Sequence, residues 1–204
     1  LIDRFLDLPA AFYEVLFILR ASSPDGTIMA YVIALVTSLG LFGVGMLAES
    51  QIYGKRIAKR FVVSRIRKNP QGYAEKMPWL AFRFVAGVIG ILFSMAVAYI
   101  LGYLIFGPLE DTAMQFTVSL INLGYFMVRF VTGLWRMILS PFMAQYRIPK
   151  LSDKDATRLY FWLSSVAAIS FFANLFGVWI EQLGLNYEVY VFLFSLLSLL
   201  VMAQ

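Results

Sequence analysis

Polar and apolar positions along this chain alternate in long blocks rather than in the short periods of a soluble fold. Five apolar runs carry no charged residue: Ile28 to Ala48, Phe84 to Phe106, Ala113 to Val128, Leu159 to Ile180 and Val189 to Gln204. A bilayer core takes about 20 mostly apolar residues to cross as a helix. An apolar run in lipid must also satisfy its own backbone groups, which favours helix over strand. The pattern predicts an all-α polytopic membrane protein, with about five transmembrane helices in antiparallel hairpins and an N-terminal interfacial helix. Its expected segments are 1–27, an outer-face amphipathic segment, and 28–106, a first hairpin with a basic loop. A second hairpin with a basic loop follows at 107–180, then an outer turn and the start of a fifth span at 181–204. The chain begins at Leu1 and stops inside an apolar run, so it is expected to be a piece of a longer polypeptide.

Within the first segment, Phe5, Leu6, Phe12, Val15, Leu16 and Leu19 can share one face of a helix lying on the membrane surface. Beyond the first span, Ile52, Ile57, Phe61, Val62 and Ile66 interleave with Lys and Arg, which predicts that the helix continues until Asn69-Pro70.

Composition narrows the function classes. Of 204 residues, 61% are hydrophobic and 14% charged; a soluble domain carries about 25% charged residues. With no Cys and no His, thiol nucleophiles, imidazole bases, disulfides and zinc sites are excluded. The absence of charge from the runs argues against proton relays and intramembrane proteolysis. No phosphate loop, dinucleotide fingerprint or metal-ligand cluster is present, so the expectation is a protein without catalytic activity or cofactor.

Charge is sorted by loop. Glu49 to Trp79 holds Lys55, Arg56, Lys59, Arg60, Arg65, Arg67, Lys68 and Lys76 against Glu49 and Glu75; Arg129 to Arg158 is also net basic. The N-terminal segment and the turns after the second and fourth spans are net acidic. By the positive-inside rule both basic loops face the cytoplasm and the N-terminus lies outside. Lys55, Arg56, Lys59, Arg60, Arg65, Arg67, Lys68, Arg136 and Arg147 are candidate contacts for anionic lipid headgroups, although positive-inside bias alone accounts for such a cluster. The partners expected are membrane lipids and not nucleic acid. All four Trp, at 79, 135, 162 and 179, fall near span ends.

In the second span Ala86, Gly90, Ser94, Ala98 and Gly102 recur every fourth position. They form one small-residue face along about 24 Å of helix, suited to close helix packing. The first span carries a shorter version, Ala30, Ala34 and Ser38, followed by Gly40, Gly43 and Gly45. Asn122 and Asn174 are the strongest polar groups of the third and fourth spans and are candidates for hydrogen bonds to neighbouring helices.

The stretch Leu134 to Leu163, LWRMILSPFMAQYRIPKLSDKDATRLYFWL, carries Arg136, Pro141, Arg147, Pro149, Leu151, Ser152, Asp153, Arg158 and Trp162 in a recognisable order. It resembles the segment between transmembrane helices in large bacterial channels of the small-conductance mechanosensitive (MscS-like) family. Independently of any family, the prolines end helices and Ser152 or Asp153 can cap the next one. The resemblance implies a tension-gated, homoheptameric channel of the bacterial inner membrane, in which helices such as these form a lipid-facing paddle. It also implies that the Gly/Ala-rich pore helix and a cytoplasmic β-domain lie outside these residues. Five spans ending inside, with two more, would place such a domain in the cytoplasm. The competing reading is a membrane subunit of a transporter or a structural membrane scaffold.

Overall fold

The computed structural model describes residues 8–64 and 72–184, with Val191 and Ser195. Among these the chain is helical and contains no strand. The order is α1 (Leu8–Ser22), α2 (Met29–Ala48), a π-helical segment (Glu49–Ala58), α3 (Lys59–Val63), α4 (Gly72–Phe106), α5 (Thr112–Leu139), a short 3₁₀ turn (Ala144–Tyr146) and α6 (Asp153–Gln182). Four stretches are long and apolar enough to cross a membrane: Met29–Phe61, Gly72–Phe106, Thr112–Leu139 and Asp153–Gln182. Only 17–22% of the most apolar part of each is buried within the protein, so most of that surface needs lipid or another chain to cover it. The fifth predicted run lies outside the described residues apart from Val191 and Ser195.

The helices are longer than the uncharged runs, because helix continues through the charged residues that bound each run. Arg129 and Arg136, assigned by sequence to a connecting loop, belong to α5, which reaches Leu139. Likewise α4 begins twelve residues before Phe84 and takes in Arg83. Local signals explain the ends. Asp111 caps α5, its Oδ1 accepting the Met114 N–H at 2.8 Å. Gly107, at φ +76°, stops α4 in the left-handed conformation that glycine tolerates best. Ser152 caps α6: its Oγ accepts the Asp155 N–H at 3.1 Å and donates to Asp155 Oδ2 at 2.6 Å. Past Ala48 the helix widens, and the Lys59 N–H donates to the Gly54 carbonyl, five residues back.

The chain divides into two compact units. The first comprises Leu1–Leu39, Phe106–Gly124 and Ile169–Gln204. In it Val15 and Leu19 of α1 are buried with Tyr31 and Ile180. Trp179 meets Tyr31 edge-on at 5.2 Å and donates its Nε1–H to Thr117 Oγ1 at 2.8 Å. The Tyr31 hydroxyl donates to the Ser22 carbonyl at 3.0 Å. Of the apolar face expected on this segment, Val15 and Leu19 are buried within the protein and Phe12 is exposed, while Phe5 and Leu6 lie outside the described residues. Asn122 and Asn174 do not reach across to other helices. Each donates to a carbonyl four residues back on its own helix, Val118 at 2.8 Å and Ser170 at 2.7 Å.

The second unit comprises Gly40–Ile105 and Tyr125–Ala168. Here Trp79 stacks on Tyr146 at 3.9 Å beside the fully buried Leu80.

Candidate functional site

The second unit holds a polar network built on glycine. On α4, Gly90 and Ser94 are buried. A side chain on Gly90 would come within 2.9 Å of Glu49 Oε1 and 3.2 Å of the Tyr53 ring. A side chain on Gly45 of α2 would collide with the Ser94 carbonyl, and one on Gly102 would meet Leu41 at 3.1 Å. The small-residue face of α4 is thus the seat of α2 and the π-helical segment. Ala86 contributes its carbonyl, which accepts the Tyr53 hydroxyl at 2.7 Å, and Ala98 is buried.

Close backbone approach sets up the electrostatics. Glu49 opens the π-helical segment and faces Arg129 of α5 in a two-pronged pair, with Nη1 to Oε2 and Nη2 to Oε1 both at 2.9 Å. The side chains are 28% and 18% exposed for Arg129 and Glu49 respectively. Arg129 Nη1 also donates to the Tyr125 hydroxyl at 2.8 Å, one turn earlier. That hydroxyl lies 3.0 Å from Ser94 Oγ. Since the Ser94 proton goes to the Ile91 carbonyl at 2.9 Å, Tyr125 is the donor to Ser94. Phe42 stacks flat on the Tyr125 ring, 4.1 Å between centroids. The network therefore runs Glu49–Arg129–Tyr125–Ser94 and ties α4 and α5 to the π-helical segment. Sequence reading missed it because Glu49 and Arg129 each lie one residue past an uncharged run. The available signal was the lone acid at the head of a strongly basic loop.

Beside the network lies a half-open cleft of about 430 Å³. Glu49, Lys59, Arg83, Arg129, Arg136 and Tyr160 bound it, over apolar walls that include Leu80, Phe84 and Ile91. Of the headgroup candidates, Lys59 and Arg136 line this cleft. Lys55, Arg56 and Arg60 are exposed, and Lys55 donates to Gln51 Oε1 at 2.6 Å. Arg65, Arg67 and Lys68 lie outside the described residues.

Arg147, another of the headgroup candidates, makes three bonds within the protein. It is 6% exposed. Its Nε donates to the Leu139 carbonyl at 3.1 Å, Nη1 to the Leu151 carbonyl at 2.6 Å and Nη2 to Asp153 Oδ1 at 2.7 Å. It latches the end of α5 to the start of α6. Ser140, in the left-handed region at φ +37°, and Pro141 turn the chain out of α5 into this latch. Among the described residues no cluster of three or more acidic side chains could hold a metal ion. Comparison with protein-family models, curated proteins and solved structures finds no match to this chain.

Proposed function

We propose that this chain is the tension-responsive membrane region of a mechanosensitive channel, with the pore supplied by other residues and by further copies of the chain. The observation that carries this reading is the Leu134–Leu163 segment, whose motif residues build the Arg147 latch. A latch of this kind makes the turn between α5 and α6 stiff, so tilt of one helix is passed to the other. Large apolar faces on α2 and α4, with Val36, Leu39, Leu92, Tyr99 and Leu104 exposed, supply the lipid contact through which thinning of a stretched bilayer does work. Mismatch costs of a fraction of a kcal/mol per Å, summed over several helices, bias one packing state against another. In this reading the basic loops face the cytoplasm of a bacterial inner membrane and the N-terminus lies outside. The complete polypeptide in liposome patches opens under suction; silence up to lytic tension refutes the channel.

The Glu49–Arg129 pair favours a second reading, a transporter subunit, because charges set among apolar helices often mark a pathway. Solute uptake that depends on both residues, in patches without suction-activated current, would select it.

A further inference from the structure

We propose that the cleft between the π-helical segment, α4 and α5 is a binding site for a phosphate-bearing anion. Glu49 is fully engaged by Arg129, so it neutralises that charge and no other. Lys59, Arg83 and Arg136 then remain around one cavity with no carboxylate partner among the described residues. Their neighbours are poor substitutes for an anion. The Arg83 guanidinium lies 5.3 Å from the Trp79 ring centre and 3.8 Å from Met143 Sδ. That of Arg136 lies 5.5 Å from the Phe142 ring centre. Rings and a thioether hold a cation in place but offer few acceptors: Arg83 is half-buried with most of its guanidinium N–H donors unmatched, which is costly away from water, while Lys59 and Arg136 are exposed at the mouth of the cleft and free to reach an anion there. Two planar forks and an ammonium match a phosphate, whose oxygens accept from several donors at once.

Size and lining extend the assignment. One water needs roughly 10–15 Å³ of cavity space, so a cleft of about 430 Å³ has room for far more than a bare phosphate. The surplus is bounded by Leu80, Phe84 and Ile91, which suits a phosphodiester with an apolar body. A lipid headgroup and a soluble phosphate share the recognised chemistry, and the test separates them. The inference needs a membrane-embedded bundle but not tension gating.

The protein is purified in a neutral detergent. Retention of phosphatidylglycerol against phosphatidylcholine is read by native mass spectrometry, and inorganic phosphate is titrated separately by calorimetry. Phosphatidylglycerol is expected to be retained, and Arg83→Gln with Arg136→Gln to weaken retention by about tenfold or more, the loss of strong charge-assisted bonds. Arg83→Lys keeps the charge and falls between. Lys55→Gln with Arg56→Gln, on exposed positions outside the cleft, leaves retention unchanged. Inorganic phosphate binding that shows the same dependence on Arg83 and Arg136 identifies a soluble ligand and equally supports the site. Equal loss from the Lys55/Arg56 pair, or unaltered binding of both probes in a folded Arg83/Arg136 variant, overturns it.

Discussion

Removing one partner from the Glu49–Arg129 pair tests whether this ion pair holds the second unit together. Both prongs measure 2.9 Å, and net contributions of hydrogen bonds to charged groups run to about 1.5–3 kcal/mol each. Glu49→Gln keeps one acceptor but turns an amide toward the guanidinium, so one prong is lost and the charge attraction with it. Breaking a buried pair costs about 3–5 kcal/mol. Side-chain exposures of 28% and 18% reduce that, and we expect about 2–3 kcal/mol for Glu49→Gln. Arg129→Met should cost at least as much, because it also takes a donor from the Tyr125 hydroxyl.

The decisive variant is the double one. Glu49→Met with Arg129→Met removes both charges, and with them the desolvation that each pays in an apolar setting, so it should be markedly more stable than either single change predicts by addition. Reversible unfolding in mixed micelles, followed by far-ultraviolet circular dichroism, gives the coupling energy. A coupling below about 0.5 kcal/mol, or single variants indistinguishable from the parent, would show that the pair is ornamental and that packing alone joins these helices.

Two further substitutions probe the neighbouring geometry. Gly45→Ala drives a methyl into the Ser94 carbonyl and should destabilise by about 1–3 kcal/mol, whereas Gly40→Ala, with nothing within 4 Å, should be neutral or stabilising by up to about 1 kcal/mol; the same unfolding titration separates them, and equal effects would mean that Gly45 does not mark the contact. Arg147→Lys keeps the charge but cannot span Leu139, Leu151 and Asp153 together, so the turn should open more easily by about 2 kcal/mol, seen as faster amide hydrogen exchange at Ile148, whose N–H is bonded to the Ile138 carbonyl.

What could be read from the sequence is what depends on one side chain at a time. Apolar length marked four helices, because lipid solvation acts residue by residue. Proline positions and Ser152 marked the turn between α5 and α6, because capping is local. The spacing of Gly90 and Ser94 marked a packing face because helical period is fixed. Pairwise facts were hidden. Nothing in the order of residues says that Glu49, at position 49, meets position 129, and a charge beside an apolar run looks like its border. Arg147 shows the same limit: an Arg in a basic loop reads as a surface charge, and only the three acceptors around it reveal a latch. Asn122 and Asn174 fail in the opposite direction, since a side-chain amide on a helix has a carbonyl of its own helix within reach and needs no neighbour.

The glycines and the ion pair are best understood as one device. Dispersion between apolar helices gives little preference for one register over another, because lipid tails offer comparable contact. A charge pair is selective, since its attraction falls off with distance and its desolvation cost does not. Glu49 can meet Arg129 at 2.9 Å only where the backbones come close, and closeness at that level is set by the bare Cα of Gly90 and of Gly45. A bundle built this way has a sharp energetic difference between its seated arrangement and one in which α2 has slid by a turn: the slid form keeps most of its apolar contact but strands a carboxylate and a guanidinium. That asymmetry favours one seated register for Glu49 and Arg129 where the rest of the helix surface is nearly indifferent.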